Sequence, residues 1–317
     1  PRWIYGNINV VADTKEGDRH YEPQSEKLKK EVFNKMFLGV FGNKDIATYF
    51  LKVLARSLAG EAQDKYFYIV RGRPNSGKGV QTDAVFYTFQ SIYGNYNSGA
   101  LCAKKSNGDD AHLQGWKLGL RNCRIAIANE KPNNKISGEA MKSLVSGGDV
   151  QTARHNHKDA VDFKLQCQFF LFCNDLPEID KLREAEADRI RIFTTSYKYL
   201  SPDKYEASRD KNGKIPTYVK KADQTIKSEW LKRRDIQQAY AELICESWER
   251  EHPECPKSII DETKMLIDEI SDDTKIEDLI VETGKKEDKL YVKQLISRLK
   301  SQGVFYALSA IRDRLKD

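Results

Sequence analysis

The residues whose chemistry is easiest to interpret form a short glycine-rich run, which predicts a phosphate-binding loop. A β-type stretch, residues 66–70, precedes the run, and the spacing is G-x-x-x-x-G-K. Glycines let consecutive backbone N–H groups curve around a phosphate, and the next helix points its positive end there. The predicted ATP-binding residues are Gly72, Arg73, Pro74, Asn75, Ser76, Gly77, Lys78, Gly79 and Val80. Lys78 is expected to reach the outer phosphates and to be catalytic.

One position of this loop departs from the usual pattern. Such loops end in Ser or Thr, whose hydroxyl binds Mg²⁺, and Gly79 stands there instead. Because Mg²⁺ usually keeps several waters, a water could take the place of the hydroxyl. A weakened or inactive hydrolytic site is the alternative.

Two further β-type stretches end in polar residues that suit ATP hydrolysis. Residues 124–128 lead into Glu130, and residues 169–173 lead into Asn174. Glu130 is predicted to activate the attacking water and to hold Mg²⁺ through a water molecule. The Asn174 amide is predicted to contact the γ-phosphate and the attacking water. The alternatives are a solvated carboxylate for Glu130 and a turn former for Asn174.

A β-hairpin with a basic tip is predicted between these two strands. Its strands are expected at residues 150–154 and 161–165, after a helix that begins near Ser137. The predicted nucleic-acid-binding residues are Arg154, His155, His157 and Lys158. A basic tip suits contact with a phosphate backbone. The H-x-H pattern could instead bind a metal, but no third ligand of suitable spacing accompanies it, so zinc is not expected.

In combination, these motifs resemble the superfamily 3 helicases, specifically the ATPase part of poxvirus, giant-virus, phage and plasmid primase-helicases. The matching motifs, which cover roughly residues 25–200, are the phosphate loop, YGNY at 93–96, NEKP at 129–132, SGGD at 146–149, TAR at 152–154 and FCNDLP at 172–177. The resemblance implies an AAA+-like α/β fold with a mostly parallel sheet. It also implies a homo-hexameric ring that translocates on single-stranded nucleic acid through a pore lined by the hairpins.

A catalytic arginine supplied by a neighbouring subunit is a further implication of the resemblance. The family has an acidic loop followed by R-R-hydrophobic-R-hydrophobic, and residues 184–193 follow this pattern with Arg189 at the finger position. Asp188 replaces the usual basic neighbour. An inserted arginine would neutralise charge that develops on the γ-phosphate. A surface salt bridge from Arg189 to Glu186 or Asp188 is the alternative.

Other segments predict modules on both sides of the ATPase. The expected organisation is a helical module at 1–60, the ATPase domain at 61–200, a basic linker and helix at 201–256, and a small C-terminal helical module at 257–317. The last module resembles a winged helix, more weakly. Within the ATPase, strands are expected at 66–70, 100–103, 124–128, 169–173 and 190–193. The lysine-rich segment, residues 211–234, is expected to be a solvated surface and not a nucleic-acid groove.

The composition excludes several classes of protein. No apolar run approaches the roughly 20 residues of a membrane span, and the N-terminus lacks the pattern of a signal peptide. The six cysteines contain no C-x-x-C pair, which indicates reduced thiols. The net charge of +6 leans towards polyanions such as nucleic acid. We therefore expect a protein that is neither secreted nor membrane-bound, in the cytoplasm or at a replication site in a host cell.

Together these features predict the helicase motor of a replicative primase-helicase from a virus, phage or plasmid. ATP and Mg²⁺ are the expected cofactors, and single-stranded or forked DNA is the expected partner. A primase domain, if one exists, would precede Pro1. Two alternatives stay open: a small-molecule P-loop kinase, and a nucleotide-binding nucleic-acid-binding module with little hydrolysis. The kinase would need a lid and a substrate pocket where this chain has a basic hairpin.

Overall fold

A central parallel sheet organises the chain, for which the computed structural model describes residues 23–60, 64–102, 114–154, 159–180, 182 and 184–267. The strands are β1 (Phe67–Arg71), β2 (Tyr93–Asn95), β3 (Ile125–Asn129), β4 (Ile136–Ser137), β5 (Val150–Ala153), β6 (Val161–Lys164), β7 (Gln168–Cys173), β8 (Ile179–Asp180), β9 (Ile190–Thr194), β10 (Lys198–Leu200) and β11 (Val219–Lys221). Five of them form the sheet β2-β3-β7-β1-β9, in which every neighbouring pair is parallel. The predicted α/β class with a mostly parallel sheet is confirmed.

Helices lie before, between and after these strands. They are α1 (Glu26–Val32), α2 (Gly39–Phe41), α3 (Lys44–Ala59), α4 (Lys78–Phe89), α5 (Gly138–Leu144), α6 (Glu184–Ala187), α7 (Pro202–Ala207), α8 (Arg234–Glu246) and α9 (257–267). A π-helical segment, Phe33–Leu38, joins α1 to α2. Helix α3 begins after Asn43, whose side chain caps two N–H groups, and ends at Gly60 in the left-handed conformation.

Burial on both faces explains the composition of the central strands. All six residues of β7 are buried, as are the first four of β1 and of β3. Parallel strands covered by helices on both sides are nearly continuous apolar runs, because neither face meets water. The apolar runs seen in the sequence therefore mark the strands that carry the predicted catalytic residues.

An aromatic cluster joins the N-terminal helices to the sheet. Phe50 of α3 is fully buried, and its ring centroid lies 4.8 Å from Phe41, 5.1 Å from Phe193 and 6.0 Å from Phe170. The last two residues belong to β9 and β7. Helix α3 therefore packs directly on the sheet and shares its core, while the predicted boundary at residue 60 stays a prediction.

The prediction of a strand at residues 100–103 is wrong. The segment Ser98–Leu101 is a 3-10 helix, because the side chain of Asn97 accepts a hydrogen bond from the backbone N–H of Gly99 and bends the chain there. The strand next to β3 is β2, which lies earlier in the chain. The other four predicted sheet strands are confirmed, with ends that differ by at most one residue.

The predicted hairpin is present, since β5 pairs antiparallel with β6. Its tip, residues 155–158, lies outside the described residues, as do residues 268–317 with the predicted winged helix and residues 1–22 of the N-terminal module. The chain divides into two compact units, Pro1–Lys264 and Met265–Asp317, and the described residues belong almost entirely to the first. The predicted module boundaries at residues 200 and 256 remain predictions. Within the described ranges, no helix has the length and apolar character required to cross a membrane.

We expect Phe50→Ala to lower the free energy of unfolding by about 3–5 kcal/mol, because the substitution leaves a cavity among four aromatic rings. Denaturant unfolding followed by circular dichroism measures this loss. Phe86→Ala is the matched control, since Phe86 is 45% exposed, and it should cost about 1 kcal/mol or less. A small loss for Phe50→Ala, or a separate early transition, would mean that the N-terminal helices unfold independently of the sheet.

Candidate nucleotide site

The strand order brings the predicted loop and two predicted catalytic residues to one edge of the sheet. The loop follows β1, Asn174 follows β7, and Glu130 follows β3. Strand β7 pairs with both β1 and β3, and Arg71 lies opposite Cys173 while Asn129 lies opposite Phe172. Because all three strands are parallel, their carboxyl ends meet at this edge, where ligands bind in open α/β sheets.

The loop residues adopt the tight backbone that a phosphate cradle requires. Asn75 and Gly77 have φ angles of 62° and 94°, in the left-handed region. Helix α4 begins at Lys78, immediately after this turn. The carbonyl of Asn75 accepts a hydrogen bond from the Tyr199 N–H at 2.7 Å, so the segment after β9 holds the loop from outside. Successive N–H groups and a helix N-terminus in this arrangement bind anions.

Lys78 lies across the loop and reaches the neighbouring strand end. Its Nζ donates to the carbonyl oxygens of Gly72 at 2.6 Å and Arg73 at 3.0 Å, and to Asn174 Oδ1 at 3.0 Å. Burial lowers the pKa of the Lys78 ammonium from its ordinary value, although the nearby Cys173 and Asp175 act in the opposite direction. The predicted lysine and the predicted asparagine are therefore in direct contact.

Glu130 occupies an unusual backbone position at the end of β3. Its φ angle is 73°, which is rare for a residue with a side chain. Two hydrogen bonds hold it there, because its N–H donates to Phe172 O at 2.7 Å and its carbonyl accepts from Ser98 Oγ at 2.9 Å. The carboxylate itself is exposed. Backbone strain of this kind is concentrated at functional sites, which supports a role for the Glu130 side chain.

Residues at the start of α4 fit phosphate oxygens better than a directly bound Mg²⁺. Gly79 has no side-chain oxygen, and the nearest atoms in the direction of a Cβ there belong to the Lys227 ammonium group. An ammonium group has no lone pair with which to bind a metal. Across the described ranges, no group of three or more His, Cys, Asp or Glu side chains is arranged to hold a metal. Water-mediated binding through Glu130 stays a prediction.

Arg189 is not brought to the loop of its own chain. Its carbonyl accepts the N–H of Phe67, the first residue of β1, and Ile190 lies opposite Phe67 in the sheet. Arg189 is thus at the amino end of the strands, about 15 Å from the loop at roughly 3.3 Å per residue. Its Nη1 lies 3.5 Å from the carbonyl oxygen of Lys142, whose ammonium pairs with Glu186.

Strand β5 of the hairpin packs against the 3-10 helix Gly115–Leu120. Buried Lys117 donates to Gln151 Oε1 of β5 at 2.6 Å, and burial lowers the pKa of this lysine to about 8. The carbonyl oxygen of Arg154 lies 2.8 Å from a Cβ placed on Gly115. The backbone of Arg154 therefore lies close to Gly115 at the base of the tip, whereas His155, His157 and Lys158 lie outside the described residues.

Three residues that sequence reasoning missed also border the loop: Thr195, Tyr199 and Lys227. Thr195 and Tyr199 come from the segment after β9, and Lys227 comes from the lysine-rich segment. No motif in the sequence marks them, because each reaches the loop only through tertiary folding. The lysine-rich composition of residues 211–234 was the single available signal for Lys227.

Comparison with known proteins matches the part of the chain that contains this site. A family of unknown function, DUF5906, matches residues 70–189, which include Lys78, Glu130, Asn174 and Arg189. "Putative helicase V13" of Sputnik virophage is 29% identical over 180 residues, covering 56% of this chain and 23% of that protein. "Putative helicase L207/L206" of Acanthamoeba polyphaga mimivirus is 27% identical over 172 residues, covering 54% and 18%. The predicted resemblance to viral helicases is confirmed, whereas the assignment to superfamily 3 stays a prediction.

The chain spans about a fifth of the length of these two viral relatives. Among solved structures, an apo form of the NrS-1 C-terminal region has a TM-score of 0.49 and 13% identity, covering 78% of this chain and 52% of that chain. A second apo form of the same region has a TM-score of 0.46 and 14% identity, covering 78% and 51%.

We expect Gly72→Ala to abolish nucleotide binding and to destabilise the protein by about 1–3 kcal/mol. A Cβ at Gly72 would collide with the side chain of Thr195, so the first turn of the loop would have to move. Binding of ATP by calorimetry and denaturant unfolding measure the two effects. Gly119→Ala is the matched control, because nothing lies within 4 Å of a Cβ there. Normal ATP affinity in Gly72→Ala would contradict the assigned loop geometry.

Proposed function

We propose that this chain is the ATP-dependent motor part of a replicative helicase of the viral superfamily 3 type. The observation that carries the proposal is the contact between Lys78 Nζ and Asn174 Oδ1, 3.0 Å apart, at the edge where Glu130 also ends its strand. The viral relatives named as helicases support the same reading. ATP is the proposed nucleotide, bound by the loop Gly72–Val80.

The proposed chemistry divides among three side chains. The Lys78 ammonium exchanges its bonds to loop carbonyls for bonds to the outer phosphate oxygens, because it already lies across the loop. The Asn174 amide orients the γ-phosphate and the attacking water. The exposed Glu130 carboxylate accepts a proton from that water. Mg²⁺, when bound, would neutralise phosphate charge, and Glu130 is the residue that would hold it through water.

Translocation on nucleic acid is the second part of the proposal. The hairpin formed by β5 and β6, with Arg154, His155, His157 and Lys158 at its tip, grips single-stranded or forked DNA through phosphate contacts. Six copies of this chain form a ring, and an upstream primase domain is a further proposed partner. Arg189 acts on the nucleotide of the adjacent copy, which its distance from the loop of its own chain supports. The proposed location is the cytoplasm or a replication site in the host cell.

A nucleotide-binding module with little hydrolysis is the second candidate. The absence of a hydroxyl at Gly79, with the Lys227 ammonium beside it, favours this reading, because tight phosphate binding does not require turnover. A small-molecule kinase fits less well, since the segment between β3 and β7 contains the hairpin of β5 and β6, where a kinase would need a substrate lid. The dependence of the ATPase rate on single-stranded DNA separates these functions.

We expect parent protein to hydrolyse ATP faster when single-stranded DNA is present, and Lys78→Ala to lose roughly a hundredfold in rate because the phosphates lose a preorganised cation. Phosphate release with and without DNA measures both effects. Lys232→Ala, an exposed lysine of the lysine-rich segment, is the matched control and should keep the parent rate. Undiminished turnover in Lys78→Ala would exclude the loop as the catalytic site. An ATPase rate that does not change with DNA would favour a kinase. ATP binding without hydrolysis would favour the non-hydrolysing module.

If Arg189 acts in the neighbouring subunit, two inactive variants should restore activity in one ring. Arg189→Ala keeps an intact loop, and Lys78→Ala keeps an intact Arg189, so an interface between them in the correct order is complete. We expect mixed subunits to hydrolyse ATP measurably, while each variant alone stays inactive. Native mass spectrometry confirms co-assembly. Mixed rings without recovered hydrolysis would assign Arg189 to its contact with Lys142 in its own chain.

A further inference from the structure

A lysine from the lysine-rich segment lies beside the first turn of α4. A Cβ placed on Gly79 would be 2.9 Å from Lys227 Nζ and 3.8 Å from Lys227 Cε. The same Nζ pairs with Asp83 Oδ2 at 2.8 Å, one helical turn further along α4. Position 79 is where loops of this type carry the metal-binding hydroxyl. An ammonium group therefore occupies the direction in which that hydroxyl would project.

The lysine also accounts for the glycine. Gly79 lies outside the left-handed region, so its backbone would accept any residue. Within 4 Å of a Cβ at Gly79, the described atoms belong to Lys227 alone, which is the flexible end of a side chain and not backbone. Neither chain geometry nor close backbone packing therefore requires glycine here. What the missing side chain leaves room for is the Lys227 ammonium.

The backbone around Lys227 is held in position before any ligand binds. Asp223 Oδ1 accepts hydrogen bonds from the N–H and the hydroxyl of Thr225, at 3.0 and 2.7 Å. Trp230 and Leu231, three and four residues beyond Lys227, are buried in the core. The segment is thus an anchored turn, and only the outer part of the lysine side chain has to move to reach a ligand on the loop.

We propose that Lys227 is a phosphate-binding residue that supplies, as a direct ammonium contact, the positive charge that a hydroxyl-bound metal supplies in the usual loop. Gly79 keeps the space for it. This inference rests on the proposed function, because it requires a triphosphate on the loop. Lys78 and Lys227 then approach the phosphates from two sides of Gly79, one from the loop and one from the lysine-rich segment. Part of the nucleotide affinity is consequently independent of Mg²⁺.

A simple surface salt bridge with Asp83 is the competing explanation, and it makes the opposite prediction for Asp83. The two side chains are 51% and 39% exposed, and such pairs contribute little to stability. If the pair only ties the segment to α4, removing either partner should have the same effect on ATP binding. If Lys227 binds phosphate, removing Asp83 frees the ammonium, and only removal of Lys227 weakens binding.

Calorimetric titration with ATP, in EDTA and in Mg²⁺, distinguishes the two explanations. We expect Lys227→Ala to weaken ATP binding in EDTA roughly tenfold, the usual effect of losing a hydrogen bond to a charged group. Asp83→Asn should bind ATP as tightly as the parent or more tightly, and the control Lys232→Ala should differ less than twofold. Lys227 and Lys232 are exposed and Asp83 is partly exposed, and an unchanged unfolding midpoint confirms the fold of each variant.

A compensating pair gives a second readout. Gly79→Ser should weaken ATP binding in EDTA because its side chain displaces the Lys227 ammonium. Gly79→Ser combined with Lys227→Ala should recover affinity only when Mg²⁺ is added, since the new hydroxyl can then bind the metal. Parent-like ATP binding by Lys227→Ala, or an equal loss in Asp83→Asn, would overturn the inference while the proposed function stands. A parent protein that binds no ATP would overturn both.

Discussion

The parallel pairing of β3, β7 and β1 is the constraint on which the candidate site depends. Backbone hydrogen bonds fix the register of these strands, so that Arg71 faces Cys173 and Asn129 faces Phe172. The residues that follow each strand therefore lie at the same edge of the sheet. The loop, Asn174 and Glu130 therefore converge without any direct sequence relation among them. A slip of one residue in β7 would turn its side chains to the other face and separate Asn174 from Lys78.

Packing on the sheet and contacts around the loop hold the elements of this edge together. The aromatic cluster around Phe50 presses α3 onto β7 and β9, and the segment after β9 returns to hold the loop through Tyr199 and Thr195. Gly72 has to be a glycine because of the Thr195 side chain, whereas Gly77 has to be a glycine because of its φ angle of 94°. The two glycines of the motif thus serve two different physical needs.

The sequence predicts the parts of this arrangement that are encoded locally. Strands β1, β3 and β7 are apolar runs, so the sequence could predict both the strands and the positions of Glu130 and Asn174 at the ends of β3 and β7. The prediction of a strand at residues 100–103 failed because a run this short shows no clear periodicity. The hydrogen bond from the Gly99 N–H to the Asn97 side chain bends the chain there instead. The left-handed backbone of Glu130 could not be foreseen, since it depends on Phe172 and Ser98.

The surroundings of the two positions that depart from the family pattern depend on the tertiary fold and could not be inferred from the sequence. Gly79 and Asp188 both stand where the family pattern has another residue, yet their surroundings differ. Beside Gly79 an anchored segment of the same chain brings the Lys227 ammonium, so in the proposed role this lysine compensates within one subunit for the missing metal-binding hydroxyl. Arg189, next to Asp188, lies at the opposite end of the sheet from the loop, so its proposed catalytic role requires a second copy.

This difference has a consequence for how nucleotide binding would be coupled to the rest of the molecule. A cation on the loop responds only to the nucleotide, whereas Lys227 also belongs to the turn that contains Asp223 and leads into buried Trp230. If the Lys227 ammonium moves from Asp83 to a phosphate oxygen when ATP binds, the position of that turn and of the start of α8 would shift with it. In its proposed role, Arg189 would couple the same nucleotide-binding event to the adjacent subunit. The loop would then act as the point where one nucleotide connects a segment of its own chain to a neighbouring copy.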